Sequence, residues 1–229
     1  MLPAENWLLL IDGPGPAAWN MGLDEALLEA SPMLARPVLR FYGWTEPAAT
    51  FGYSQAYAAI ESLTVLRPLI RRPTGGGLVP HDRDWTYTLV FPPQHPWYSL
   101  KARSSYEKVH DWLRQAFARI GLSTRLATAS IAGSGQCFVG AEQFDVLLQG
   151  AKIAGAAQRR SRTGLLIQGS VQPPPQPPLR KAWQDAMTLE ASNAWQVRWE
   201  DFLLPSEVQS RAAFLTATKY SRSTHNQRR

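Results

Sequence analysis

RRPTGGGLVPHD, Arg71 to Asp82, sets three consecutive glycines between two arginines and a His-Asp pair. Leu69 to Arg72 enters this stretch as extended chain. DWTYTLVFPP leaves it with Trp85, Tyr87, Leu89 and Phe91 on one face of a strand. The stretch is therefore a loop joining two strands. With no Cβ at Gly75, Gly76 and Gly77, backbone N–H groups can approach the anionic or carbonyl oxygens of a ligand; a turn needing positive φ is the plainer use of the same residues. Arg71 and Arg72 are potential bidentate partners for a phosphate or carboxylate, and because adjacent strand residues face opposite sides, at most one of them reaches a pocket. His81 and Asp82 make either an orienting hydrogen-bonded pair or a turn contact.

Strands and helices mix irregularly around the loop. Trp7 to Ile11 reads as a strand ending at DGPGP. A helix follows at about Trp19 to Ala30, with Leu23, Ala26, Leu27 and Ala30 on one face. Val38 to Trp44 and Ala49 to Tyr53 read as short strands paired around the turn TEP. A second helix begins at Ser104, which with Glu107 has the spacing of a capping box. Val109, Trp112, Leu113, Ala116, Phe117 and Ile120 form its buried face before Gly121 ends it. FDVLLQG, KIAGAAQRR and GLLIQGSV read as an antiparallel meander turning at Gly150 and SRTG. QPPPQPP, Gln172 to Pro178, is a stiff connector. Helices are expected at about Leu179 to Leu189, at Trp199 to Leu204 and from Ser206, followed by a polar, basic, frayed tail. This order predicts an α+β fold, a sheet with helices packed over it.

Composition narrows the function classes. The chain has 229 residues, 45% hydrophobic and 18% charged, enough for a real core. Its first apolar run is short and has no basic segment before it, so it reads as a strand and not a signal peptide. No run approaches the ~18 apolar residues that span a bilayer, so no membrane role is expected. The formal charge of +6 favours an acidic partner. The basic residues are scattered along the chain, unlike a nucleic-acid-binding arm, and nucleic acid is not expected as a partner. A single cysteine, Cys137, cannot form an internal disulfide and fits the reducing cytoplasm.

Cys137 and Lys152 belong to one segment, CFVGAEQFDVLLQGAKIAGAAQRR. Lys152 begins an otherwise apolar strand, with Ile153, Ala154, Gly155 and Ala156 as neighbours. Lysines on edge strands commonly snorkel or oppose aggregation. The small residues here also leave room for a ligand along the strand. Most lone cysteines are buried small hydrophobes, but GSGQ before Cys137 suggests a loop, where a nearby ammonium can activate a thiol.

Together RRPTGGGLVPHD, WNMGLDEALLEA, FGYSQ and FDVLLQGAKIAGAAQRR…LIQGSV resemble the lipoate/biotin protein ligase and octanoyltransferase superfamily, from about Trp7 to Val171. The resemblance implies a fold related to class II aminoacyl-tRNA synthetase catalytic domains, with a mixed, mostly antiparallel sheet flanked by helices and a tunnel for a medium-chain acyl group. It implies a catalytic domain over residues 1–204, with 205–229 a C-terminal helix and tail and no separate accessory domain. Lys152 would touch the acyl carbonyl and Gly75 to Gly77 would line the tunnel, with Arg72, His81 and Gly155 also in the substrate site. No metal-binding residues are expected.

Two branches divide the superfamily's chemistry. A ligase uses the glycine loop and Arg72 to hold ATP, with Mg, and an acyl-adenylate. A transferase holds an acyl thioester in the same frame and needs no cofactor. The branch taking octanoyl from acyl carrier protein has a cysteine ahead of a D-x-x-x-x-G-x-K strand, and Cys137 stands there, fifteen positions before Lys152. The resemblance thus implies octanoyl-acyl carrier protein as donor, Cys137 and Lys152 as catalytic residues, and a lipoyl-domain or glycine-cleavage H-type protein as acceptor. The alternatives are an ATP-dependent lipoate-protein ligase, an octanoyl amidotransferase between lipoyl-domain proteins, and a non-catalytic acyl-binding regulator. Pro80 departs from the superfamily pattern, which has a bulky apolar or aromatic residue before His-Asp.

Overall fold

A computed structural model describes residues 4–130, 140–172 and 179–228. The strand leaving the glycine loop, β6 (Trp85–Phe91), is buried along its whole length. Its aromatic and β-branched residues suit a pleated surface covered on both sides. It lies near the middle of an eight-stranded sheet of order β11-β1-β2-β6-β10-β9-β8-β7. The members are β1 (Glu5–Gly15), β2 (Val38–Trp44), β7 (Thr124–Leu126), β8 (Val146–Leu148), β9 (Ala151–Ser161), β10 (Gly164–Val171) and β11 (Val197–Asp201). β1 runs parallel to β2 and β11, and every other ladder is antiparallel. A small sheet of order β4-β3-β5 carries the glycine loop, from β3 (Ala48–Phe51), β4 (Leu69–Arg71) and β5 (Val79–His81). The mixed, mostly antiparallel α+β architecture agrees with the sequence reading.

Helices cover both faces of the large sheet. α1 (Ala17–Leu34) lies on one face, and α4 (Ala102–Arg119) and α5 (Leu179–Trp195) lie on the other. As the alternation required, Trp85, Tyr87, Leu89 and Phe91 join the core under α4 and α5, while Val90 joins the core under α1. Trp7 packs edge-on against Phe91, Trp97, Trp112 and Trp199 and stacks on Trp195. Short helices α2 (Tyr57–Ile60), α3 (Pro96–Ser99) and α7 (Ser223–Asn226) complete the set with α6 (Ser206–Leu215). No helix among the described residues is long and apolar enough to cross a membrane.

Four local expectations are corrected. β2 and β3 do not form a hairpin: both edges of β2 are taken, by β1 and β6, so β3 enters the small sheet. The helix expected at Trp199 to Leu204 does not form: Trp199 to Asp201 belong to strand β11, because β1 offers a free edge that the chain extends in parallel, and residues 202–205 carry no helix. α4 starts at Ala102, without the Ser104 capping box. Ser105 instead bonds Gln158 Oε1 and ties the first turn to β9. The C-terminal tail is not frayed, since Tyr220, His225 and Asn226 are buried. Residues 173–178 of the expected connector lie outside the described residues.

The tail is held by Arg71. This guanidinium is fully buried and donates to the carbonyls of Tyr53, Gln55, His225, Asn226 and Arg228. A buried cation demands such satisfaction, and carbonyl dipoles supply it here. α6 and the turn after it pack on α1 at Gly22. A Cβ there would lie 2.6 Å from Thr216 Oγ1 and 2.9 Å from the Ala212 carbonyl oxygen. Gly22→Ala gains about 1 kcal/mol of helix propensity, but overpacking against a main-chain carbonyl costs about 1–3 kcal/mol. The variant is expected to have a lower urea midpoint than the parent. A raised midpoint would show that α6 gives way without cost.

Candidate functional site

One cleft gathers residues from both sheets. Its walls include Arg72, Thr50, Val79 and His81 from the small sheet and its loop, Lys152, Gly155, Ala156 and Ala157 from β9, Gln168, Gly169 and Ser170 from β10, Tyr42 and Thr86 from β2 and β6, and Met21 from α1. The empty space among these residues is about 470 Å³ with its open mouth included, of which the cavity proper is about 50 Å³. Of the residues singled out in the sequence, Arg72, His81, Lys152 and Gly155 therefore share one cleft. Gly75, Gly76 and Gly77 form a partly exposed loop beside it. Cys137 lies outside the described residues.

Lys152 is held at one wall. Its Nζ lies 2.7 Å from Asp145 Oδ2, and its side chain is only 7% exposed. Asp145 accepts further hydrogen bonds from the Glu142 N–H at 2.6 Å and the Tyr106 hydroxyl at 2.5 Å. The lysine side chain folds back over its own strand, which explains Gly155. A Cβ there would meet Lys152 Cε at 2.9 Å, Asp145 Oδ1 at 3.0 Å and Lys152 Nζ at 3.1 Å. The small residue serves the lysine's path as well as any ligand. The turn into the strand has Gln149 and Gly150 at φ +51° and +88°, a two-residue hairpin with positive φ at both central positions.

The opposite wall is a chain of polar contacts. His81 Nδ1 lies 2.9 Å from Asp84 Oδ2, and Nε2 lies 2.8 Å from Thr50 Oγ1. A carboxylate only accepts, so Nδ1 donates to Asp84, while Nε2 is hydrogen-bonded to the threonine hydroxyl. The ring stacks on Trp44 with centroids 3.8 Å apart. The sequence reading paired His81 with Asp82; that residue is exposed, and the partner is Asp84. Asp84 is two positions further on, where the chain turns back into β6 and brings Thr86 and Ser170 to the same carboxylate oxygen.

Of the two arginines only Arg72 lines the cleft, while Arg71 turns away under the tail. Arg72 donates to the Gly75 carbonyl through Nε at 3.0 Å and Nη2 at 2.5 Å, and to Thr50 through Nη1 at 3.4 Å. The glycines meet a second need of the chain itself. Gly76 has φ +85°, and a Cβ on Gly52 would lie 2.0 Å from the Gly76 oxygen. Pro80 sits in β5 opposite Ala49, and its carbonyl accepts from Gln172.

A carboxylate missed in the sequence reading ties the floor together. Asp24 on α1 is fully buried and accepts from Arg40 (2.8 Å), Tyr42 (3.0 Å), Thr88 (2.7 Å) and Gln168 (2.7 Å). Burial and the neighbouring Asp24 charge raise the Tyr42 phenol well above its ordinary range, so it remains a donor. Asp24 was visible within WNMGLDEALLEA as a charge on the same side of the helix as the apolar Met21, Leu27 and Leu28. Asp145 was visible as the acid of D-x-x-x-x-G-x-K. Tyr106 and Thr50 had no sequence signal. No group of three or more His, Cys, Asp or Glu among the described residues is placed to hold a metal ion.

Residues 16–172 match the family described as Lipoyl protein ligase A/B catalytic domain. The chain is 33% identical over 180 residues to the octanoyltransferase LipM of Kyrpidia tusciae, covering 73% of this chain and 66% of that protein. It is 31% identical over 183 residues to LipM of Bacillus subtilis, covering 73% and 65%. The matched part thus spans just under two thirds of these relatives' lengths. Among solved structures, a lipoate-protein ligase A bound with ATP superposes with a TM-score of 0.77 at 20% identity, covering 97% of this chain and 98% of that one. A bipartite lipoate protein ligase from Thermoplasma acidophilum gives 0.74 at 20% identity, covering 98% and 97%. These structures agree on the fold, and the match over most of the chain establishes that it belongs to the lipoyl protein ligase A/B catalytic domain family.

Proposed function

We propose that this chain is an octanoyltransferase: it takes octanoyl from a carrier-protein thioester onto Cys137 and passes it to a lysine of a lipoyl-domain or glycine-cleavage H-type protein. The observation that carries the reading is the Lys152–Asp145 pair at 2.7 Å, set into a cleft shared with Arg72 and His81. Identity to named octanoyltransferases supports it. So does Cys137, fifteen positions before Lys152.

The chemistry follows from the groups present. The Cys137 thiolate attacks the thioester carbonyl, the carrier thiolate leaves, and octanoyl remains on Cys137. The acceptor amine then attacks that thioester; the C–S bond breaks, an amide forms, and the amine's proton goes to the restored sulfur. A thioester is already activated, so neither ATP nor a metal is consumed. The Lys152 ammonium supports the thiolate and polarises the acyl carbonyl as negative charge develops on its oxygen. A net charge of +6 attracts acidic carrier and acceptor domains. A free nucleophilic thiol belongs in the reducing cytoplasm.

Two measurements test the reading. Incubation with octanoyl-acyl carrier protein without ATP is expected to add one octanoyl mass to the intact protein, labile to hydroxylamine and absent from Cys137→Ala. Full activity of Cys137→Ala with octanoate or lipoate plus ATP would make the chain a ligase instead. Lys152→Ala is expected to lower turnover by about a hundredfold, without rescue by Lys152→Arg, whose planar donors cannot replace a point charge at that reach. Near-parental turnover in Lys152→Ala would reduce the lysine to packing.

A further inference from the structure

Lys152 is aimed by a carboxylate, and something must aim the carboxylate. Asp145 is fully buried, and its two oxygens are divided between donors. Oδ2 takes the Lys152 ammonium at 2.7 Å and the Glu142 N–H at 2.6 Å, and Oδ1 takes the Tyr106 hydroxyl at 2.5 Å. Tyr106 comes from α4, on the far side of the sheet's core from α1. We propose that Tyr106 is a positioning residue for the transfer reaction, fixing Lys152 through Asp145. The inference rests on the octanoyltransferase reading for the reaction, but its geometry is independent of the acyl group.

The phenol is itself directed. Its oxygen accepts from the Ala156 N–H of β9 at 3.4 Å, which leaves its proton for Asp145. Burial first, and then the Asp145 charge, raise this phenol well above the ordinary tyrosine range, so it stays a donor. His110, one turn along α4, packs its ring 4.1 Å from the Tyr106 ring and bonds the Tyr106 carbonyl through Nδ1 at 2.8 Å. Burial pushes this imidazole down to about 4, so it adds no second cation to compete with Lys152 for Asp145. The other groups facing the pair are Tyr87 of β6, whose buried phenol also feels the Asp145 charge, and Glu142, whose carboxylate is turned to Ser130.

Removing the hydroxyl leaves Oδ1 without its donor in a buried site. The carboxylate then holds the ammonium less firmly. Tyr106→Phe is expected to lower kcat about tenfold with KM changed less than about twofold. A second readout needs no substrate: labelling of Lys152 in the intact protein by an amine-reactive anhydride, followed by peptide mass spectrometry, should be several-fold faster in Tyr106→Phe. Faster labelling in a protein that transfers no octanoyl would sustain the positioning role and overturn only the octanoyltransferase reading. Unchanged kcat and unchanged labelling in folded Tyr106→Phe would overturn the positioning role. If that variant does not fold, 3-fluorotyrosine at position 106, a stronger donor of nearly the same shape, should slow the labelling. No change there would overturn the proposal equally.

Discussion

The fully buried carboxylate of Asp24 constrains everything around the cleft. A charge inside a core is tolerated only when paired and hydrogen-bonded. Asp24 is satisfied by Arg40 and Tyr42 of β2, Thr88 of β6 and Gln168 of β10. α1 cannot slide or rotate on the sheet without leaving this charge unpaired. Gln168 carries the constraint outward, because its Oε1 accepts the Thr74 hydroxyl at 2.7 Å and so fixes the residue just before the glycine loop. Arg40 in turn is held by Asp12 and Asn20, so the network reaches the end of β1.

From that floor, the walls are built by close approaches that require missing side chains. Gly155 makes space for Lys152, and Gly169 makes space for the Tyr87 ring, whose Cζ would lie 2.1 Å from a Cβ. Gly52 lets the end of β3 touch the glycine loop. These glycines lie where two elements must come nearer than Cβ atoms allow, and none of them belongs to the run that drew attention first. The triple glycine therefore serves the packing of the chain on itself, and the cleft receives Arg72, which anchors that loop by its carbonyl.

The two walls of the cleft differ in electrostatic character. The Lys152 wall presents a cation whose counter-charge lies behind it, sheltered from water by α4. The His81 wall is a relay in which the Thr50 hydroxyl, the imidazole and the Asp84 carboxylate are bonded in turn, with the Arg72 guanidinium beside Thr50. A carbonyl entering between them meets two cations, Lys152 on one wall and Arg72 on the other. The buried tail adds a separate tie: Arg71, the neighbour of Arg72, is saturated by carbonyls of residues 225, 226 and 228 and steadies the loop from behind.

What the sequence determined by itself was local and periodic. Alternation at Trp85, Tyr87, Leu89 and Phe91, the apolar face from Val109 to Phe117, and the meander through Gly150 follow from side-chain periods of two and 3.6, which any stretch displays without its partners. The co-occurrence of RRPTGGG with the KIAGAAQ strand was specific enough to indicate the family, and Arg72, His81, Lys152 and Gly155 do share one cleft. Only the tertiary structure decided which edge each strand joined, since β2 had no edge left for β3 while β1 had one for β11. It also decided the partners of charges. His81 meets Asp84 and not its neighbour Asp82, and Lys152 meets an aspartate that a tyrosine from α4 completes. Hydrogen-bond partners depend on where distant segments converge, and neither spacing nor composition carries that information, because burial first sets which polar groups must find each other.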